Sequence, residues 1–229
     1  MCGRFSQAES SRRLAAVFGA DPDPDLPAGG YNVAPTDPIR AVLVTDGRRR
    51  LTTVRWGFLP SWAGKDGRRT PGWINARAET ALDSSLFGSA LRGRRCVIPA
   101  DAFYEWDRRV EPRQAYAIGP VDDEGVLAFA GIWAPPREAG ERPSAAILTA
   151  GPNAVVASIH DRMPVILPAA LVDTWLDPAA PLEEIVPLLG AADDDAVRAW
   201  PVSPAVNRVG TDGPDLLRPV EPPATLGLV

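Results

Sequence analysis

Arg40-Ala41-Val42-Leu43-Val44-Thr45-Asp46-Gly47-Arg48-Arg49-Arg50-Leu51-Thr52-Thr53-Val54-Arg55-Trp56-Gly57-Phe58 is the stretch that decides the fold. β-Branched and aromatic residues crowd its two halves, and Asp46-Gly47 between them suits the tight turn of a hairpin. Residues 40–45 and 51–58 therefore read as paired strands. Working outward, further strand candidates lie at 96–98, 102–106, 115–118, 126–133, 145–149 and 163–167, separated by short connections. Strands that succeed one another so closely pair antiparallel, whereas a parallel sheet would need regular strand-helix-strand alternation. The expectation is an α+β fold: one domain, 1–229, with a curved, barrel-like, mainly antiparallel β core flanked by helices.

Helical patterning is expected at 7–18, behind Ser6 as a cap, at 76–91, at 152–158, at 168–175 with Pro168 in the first turn, and near 182–189. The 25 prolines and 20 glycines are spread along the chain rather than gathered in a linker, which points to many ordered loops.

Composition narrows the function. With 45% hydrophobic and 23% charged residues, the chain matches neither a disordered nor a membrane protein. No apolar run nears the ~20 residues of a membrane helix, and Met1-Cys2-Gly3-Arg4-Phe5 does not resemble a secretory signal, so a cytoplasmic location is expected. Two cysteines, Cys2 and Cys96, make no disulfide framework and no paired metal motif, so neither a metal nor another cofactor is expected. A net charge of -5 argues against sequence-blind coating of duplex DNA but leaves room for a local basic groove, since arginines cluster at 48–50, 68–69, 92–95 and 108–109.

The amino terminus carries the sharpest chemistry. A small side chain at position 2 permits removal of the initiator methionine, which leaves Cys2 with an amine and a thiol on adjacent carbons. An aldehyde that condenses with the amine and is then attacked by the sulfur closes a five-membered thiazolidine, which no internal cysteine can form. An α-amine with a pKa of about 7.7 to 8.0 and a thiol near 8.5 are both partly available at neutral pH. Lys65, the only lysine, lies in the polar stretch 64–69, expected to be a mobile loop, so the terminal amine is the better carbonyl nucleophile.

Three other segments could join it. In Trp73-Ile74-Asn75-Ala76-Arg77-Ala78-Glu79-Thr80, an amide, a guanidinium and a carboxylate cluster where a loop enters the expected helix. There Asn75 either caps the helix or helps Arg77 hold an anion, and Arg77 can instead pair with Glu79. Glu105, between Tyr104 and Trp106 in a strand, is either a desolvated general acid/base or the partner of a buried arginine. His160, the only histidine, precedes Asp161-Arg162 and is either structural or a proton shuttle near pH 7. Cys96 reads as a core residue.

Cys2-Gly3-Arg4-Phe5, Tyr31-Asn32-Val33-Ala34-Pro35, Asn75-Ala76-Arg77-Ala78-Glu79-Thr80, Phe103-Tyr104-Glu105-Trp106 and His160-Asp161-Arg162-Met163-Pro164 occur in the order in which similar motifs occur in the SOS response-associated peptidase family. The similarity extends to Pro201-Val202-Ser203-Pro204-Ala205-Val206-Asn207. The resemblance implies a protein that senses abasic sites in single-stranded DNA and shields them through a thiazolidine crosslink to the mature Cys2. It implies Cys2 as nucleophile, Asn75 orienting its amine, and Glu105 and His160 managing protons. Arg4, Arg77 and Arg162 would contact phosphates, and Trp62 would lie against bases. Ala63 stands where relatives can carry a second aromatic. A monomer without membrane partners, nucleoid-associated when bound to DNA, is expected. Two alternatives stay open: a cysteine-type (auto)peptidase using Cys2 and His160, and a noncovalent module that binds gapped or single-stranded DNA.

Overall fold

The computed structural model describes residues 2–60, 62–63 and 72–221. Within them the chain runs through β1 (Phe5–Gln7), α1 (Ser11–Phe18), β2 (Asp21–Pro22), β3 (Gly30–Val33), β4 (Pro38–Thr45), β5 (Arg48–Trp56), β6 (Asn75–Arg77), α2 (Ala78–Ala81) and α3 (Gly88–Gly93). It continues with β7 (Arg95–Ala100), β8 (Ala102–Asp107), β9 (Gln114–Pro120), β10 (Leu127–Ala134), β11 (Ser144–Ala150), α4 (Ala154–Ala157), β12 (Met163–Pro164), α5 (Val172–Leu176), α6 (Leu182–Ile185) and β13 (Val197–Pro201).

The hairpin forms as its sequence dictates. β4 and β5 pair antiparallel from Pro38 opposite Arg55 to Thr45 opposite Arg48. Asp46 and Gly47 both take positive φ, 51° and 71°, the mirror-image turn whose twist matches that of the strands. Outward from it the larger sheet runs β12-β11-β10-β7-β4-β5-β2. β11 also pairs with β5, in parallel, so β5-β4-β7-β10-β11 closes into a ring. A second sheet, β13-β9-β8-β1-β3, lies beside it. The architecture is the expected α+β one with a curved, mainly antiparallel core; the parallel contacts are β5 with β2 and β11 with β5 and β6.

Four aromatic rings join the sheets. Phe5 of β1 meets Trp56 of β5 edge-on at 4.9 Å and Phe129 of β10 at 6.0 Å, and Phe103 of β8 meets Phe129 at 6.0 Å. All four are fully buried, and each contributes roughly 2–3 kcal/mol of burial free energy. Phe5 thereby draws the amino end of the chain into the interior.

At its other end β1 enters a knot of polar groups. Gln7 donates to the carbonyls of Arg40 and Pro99 (2.9 and 2.7 Å) and accepts from the Arg40 amide (2.8 Å). The buried Arg40 guanidinium donates to the carbonyls of Gln7 and Glu9 and to the Ser11 hydroxyl. Asp101 accepts from the Ser6 hydroxyl (2.6 Å) and from the amides of Ala8 and Glu9.

This knot corrects the first helix. Ser6 and Gln7 are strand residues, and α1 begins only at Ser11, where Ser10 caps the Arg13 amide. The expected helix over 76–91 also breaks. Residues 75–77 pair with β11 as a strand, and only the short α2 and α3 follow, because backbone pairing outweighs the helical propensity of Ala76-Arg77. The helix at 152–158 shrinks to α4, while the one at 168–175 forms as a 3-10 turn, Ala169–Leu171, leading into α5. The strand at 163–167 keeps two residues and a single bridge at Ile166. β1, β3 and β13, too short or too proline-interrupted to read from alternation, complete the second sheet.

Candidate active site

Register brings the site together. β1 lies antiparallel to β8 with Phe5 opposite Phe103 and Ser6 opposite Ala102, and the Tyr104 amide donates to the Arg4 carbonyl at 2.9 Å. The same register carried back toward the amino terminus lays Gly3 and Cys2 alongside Glu105 and Trp106. Glu105 shares the inward face of Phe103, two residues away, so its carboxyl faces the interior.

From the larger sheet come Asn75 and His160. β6 pairs with β11, Asn75 opposite Ile147, and β11 also holds β12, the strand that follows His160. Asn75 donates from Nδ2 to the Cys2 carbonyl at 2.8 Å. His160 is fixed by its amide to the Val156 carbonyl at the end of α4 (2.8 Å), and its Nε2 lies 3.7 Å from Glu105 Oε2. The fold thus brings together all four residues expected to carry chemistry: Cys2, Asn75, Glu105 and His160. Asn75 does so as a strand residue aimed at the amino terminus, which corrects the capping alternative; α2 has no side-chain cap.

Burial sets the electrostatics. Glu105, with its side chain 4% exposed, has its carboxyl pushed up to about 7, by desolvation above all, with Asp161 adding to the effect. Desolvation pushes the Cys2 thiol well above its ordinary value, and the charge of Glu105 reinforces the shift. His160 is pulled below 6.5, again by burial first, against the opposing pull of Asp161. Two neighbours compete for its Nδ1: the Arg162 amide, which donates at 3.1 Å, and the exposed Asp161 carboxylate at 2.9 Å. The amide donor makes Nδ1 an acceptor, and the neutral ring then carries its proton on Nε2, toward Glu105.

The expected phosphate ligands stand apart in character. Arg77 is exposed. Arg162 makes a two-pronged pair with Glu79 (2.5 and 2.9 Å) and donates to the Thr149 carbonyl, so Glu79 partners Arg162 rather than Arg77. Those bonds hold the Glu79 carboxyl below its usual range. Arg4 donates to Asn32 Oδ1 (2.8 Å) and to the Val206 carbonyl (3.0 Å). Asn32 in turn donates to the carbonyls of Val206, Arg208 and Thr211. Its motif was visible in the sequence, but its part in fixing Arg4 was not.

Trp62 is 57% exposed, and its ring centroid lies 6.4 Å from that of Trp73. Ala63 is buried, while Lys65 and the expected loop at 64–69 lie outside the described residues. Cys96 is a core residue, facing Ile98 and Gly131. Among the described residues no group of three His, Cys, Asp or Glu side chains is placed to hold a metal, and no helix is long and apolar enough to cross a membrane.

The profile of the SOS response associated peptidase (SRAP) family matches residues 1–209. The chain is 36% identical over 226 residues to the abasic site processing protein YoqW of Bacillus subtilis, covering 95% of this chain and 99% of the relative. It is 31% identical over 228 residues to the abasic site processing protein YedK of Escherichia coli, covering 96% of this chain and all of the relative. The crystal structure of a Bacteroides thetaiotaomicron protein superposes with a TM-score of 0.85 at 23% identity, covering 96% of this chain and all of that one, a likeness of fold. Matched by profile and by relatives along nearly its whole length, the chain belongs to the SOS response associated peptidase family.

Proposed function

We propose that the protein senses abasic sites in single-stranded DNA and crosslinks to them as a thiazolidine through Cys2, once Met1 is removed, shielding the lesion. The observation that carries this reading is the setting of Cys2: its carbonyl is held by Asn75, beside a Glu105 carboxyl half-protonated near neutral pH. The names of the relatives, which speak of abasic site processing, support the same substrate.

The chemistry balances on these groups. Protonated Glu105 donates to the ring oxygen as the C1′–O bond of the deoxyribose hemiacetal breaks, and the C1′ hydroxyl returns its proton to the Glu105 carboxylate as it becomes the aldehyde. The Cys2 amine adds to C1′, and the resulting hydroxyl leaves as water with a proton from Glu105, giving an iminium. The thiol sulfur then bonds to C1′, its proton passing to the Glu105 carboxylate. Aldehyde, amine and thiol become one thiazolidine and one water. Neutral His160 turns its Nε2–H toward Glu105, 3.7 Å away, and favours the carboxylate each time Glu105 gives up its proton. Asn75 orients the amine by gripping the carbonyl of the same residue. Arg4, Arg77 and Arg162 contact phosphates, which positions the strand without reading its sequence.

A thiol raised by burial and by Glu105 does not favour the thiolate attack of a cysteine peptidase at neutral pH, and this ranks the hydrolase reading second. The deciding experiment mixes protein verified as Met-free with single-stranded DNA carrying one abasic site. Cys2→Ala and an N-terminally extended protein run in parallel, with intact DNA as control. A denaturation-resistant adduct that needs the lesion and disappears in both altered proteins is expected. An adduct that survives the extension, or none from the Met-free protein, overturns the proposal.

A further inference from the structure

Among the described residues, the large apolar side chains left exposed are scattered valines and two tryptophans, and the tryptophans are neighbours. Single exposed valines carry no message, but paired exposed indoles are costly to leave in water. Trp73 is also rigidly placed. It exchanges two backbone hydrogen bonds with Phe58 (2.9 and 3.1 Å), and the Trp62 ring, tilted 58° at 6.4 Å, braces one side of it. The next carbonyl, that of Ile74, is gripped by the Trp56 indole (2.9 Å) and the Ile147 amide (3.0 Å).

Burial alternates along this stretch. Ile74 packs on the inner aromatic core and Ala76 is buried, while Trp73 and Arg77 are exposed and Asn75 is half-buried with its amide on Cys2. Trp73 and Arg77 therefore flank Asn75 at two residues on either side. Two residues span at most about 7 Å, the reach of one extended nucleotide.

We propose that Trp73 is the stacking platform for the base adjoining the abasic residue, so that Trp73, Asn75 and Arg77 form a ruler: neighbouring base, lesion, phosphate. This rests on the DNA reading above and adds to it a requirement for an intact base on one side of the lesion. Every base has a π-face, so the platform is indifferent to sequence yet rejects a vacant neighbour.

The test is a binding cycle in the Cys2→Ala background, which keeps capture noncovalent. Oligonucleotides carry a tetrahydrofuran abasic analogue at the centre, with the 5′ or the 3′ neighbour also replaced by tetrahydrofuran. With Trp73 present, one of the two neighbour deletions is expected to weaken binding about tenfold and the other to have little effect. In Trp73→Ala the parent oligonucleotide already binds about tenfold more weakly and neither deletion matters further, while Trp73→Phe retains most of the affinity. The proposal is overturned if neither deletion weakens binding with Trp73 present, or if the same deletion weakens both proteins equally. Adduct formation by the Cys2 protein with a true abasic site is measured beside it. Failure there removes the crosslinking reading, while the binding cycle still judges Trp73.

Discussion

At its far end β1 delivers Gln7 into a buried knot where every polar atom of the Gln7 and Arg40 side chains is spent on a hydrogen bond. At its near end, three residues before Phe5, lies Cys2, buried near side chains whose polar atoms are not all bonded. Among the described residues Asn75 Oδ1, Arg4 Nε and Arg162 Nε are buried without a hydrogen bond. Both regions are polar, buried and tied to the same strand. The knot is saturated, as buried polar groups in a stable fold are; the surroundings of Asn75, Arg4 and Arg162 are not. Equal burial therefore leads to opposite expectations for stability and for chemistry.

The largest effect separating the two ends is expected from Cys2→Ala, which abolishes the denaturation-resistant adduct in a gel assay while the melting curve stays close to that of the parent protein. Glu105→Gln comes next, slowing adduct formation ~10²–10⁴-fold and removing the rate dependence on an ionisation near neutral pH, read from single-turnover kinetics between pH 5 and 9.

The same substitution changes stability in a direction the pH fixes. The folded carboxyl holds its proton up to about 7, against an ordinary value of 4.5, so its contribution is complete below the lower value and is lost as pH rises through the upper one. At pH 8 Glu105→Gln is therefore expected to be more stable than the parent protein, by on the order of 1–3 kcal/mol, with the gain vanishing toward pH 4 in urea titrations.

In the knot the sign reverses. Gln7→Leu orphans two carbonyls and part of the Arg40 guanidinium, and a loss of roughly 2–4 kcal/mol at every pH is expected by the same titration. Adduct formation by the folded fraction is expected to persist. Asn75→Ala has the smallest effect on folding, under about 1 kcal/mol, because only its bond to the Cys2 carbonyl is lost. It is expected to slow the adduct about tenfold to a hundredfold by loosening the amine. A large stability loss in Asn75→Ala would dissolve the contrast between the two regions.

Much of this was legible from residues alone, for reasons that differ from place to place. Asp46-Gly47 between β-rich arms announces a hairpin because few dipeptides accept two positive φ angles, and the central strands announce themselves by their apolar β-branched content. Cys2, Glu105 and His160 stood out by chemistry. The β6 strand did not, because it runs straight into Ala-Glu-Thr-Ala, which is helical by local preference and forms α2, and only pairing with β11, distant in sequence, makes 75–77 extended. Gln7 and Arg40 were silent for a similar reason: their meaning lies in the carbonyls they meet, and a sequence does not display carbonyls. The Arg162–Glu79 pair, 83 residues apart in the chain, likewise exists only once β11 has set β6 beside the approach to β12.

Asn32 ties Arg4 to the segment 206–211. It holds the Arg4 guanidinium and, with its other hydrogen bonds, the carbonyls of Val206, Arg208 and Thr211. The setting of Arg4 is thus completed by a residue 202 positions away. Loosening of residues 206–211 therefore frees the Arg4 guanidinium as well, so a fray far along the sequence is felt beside β1.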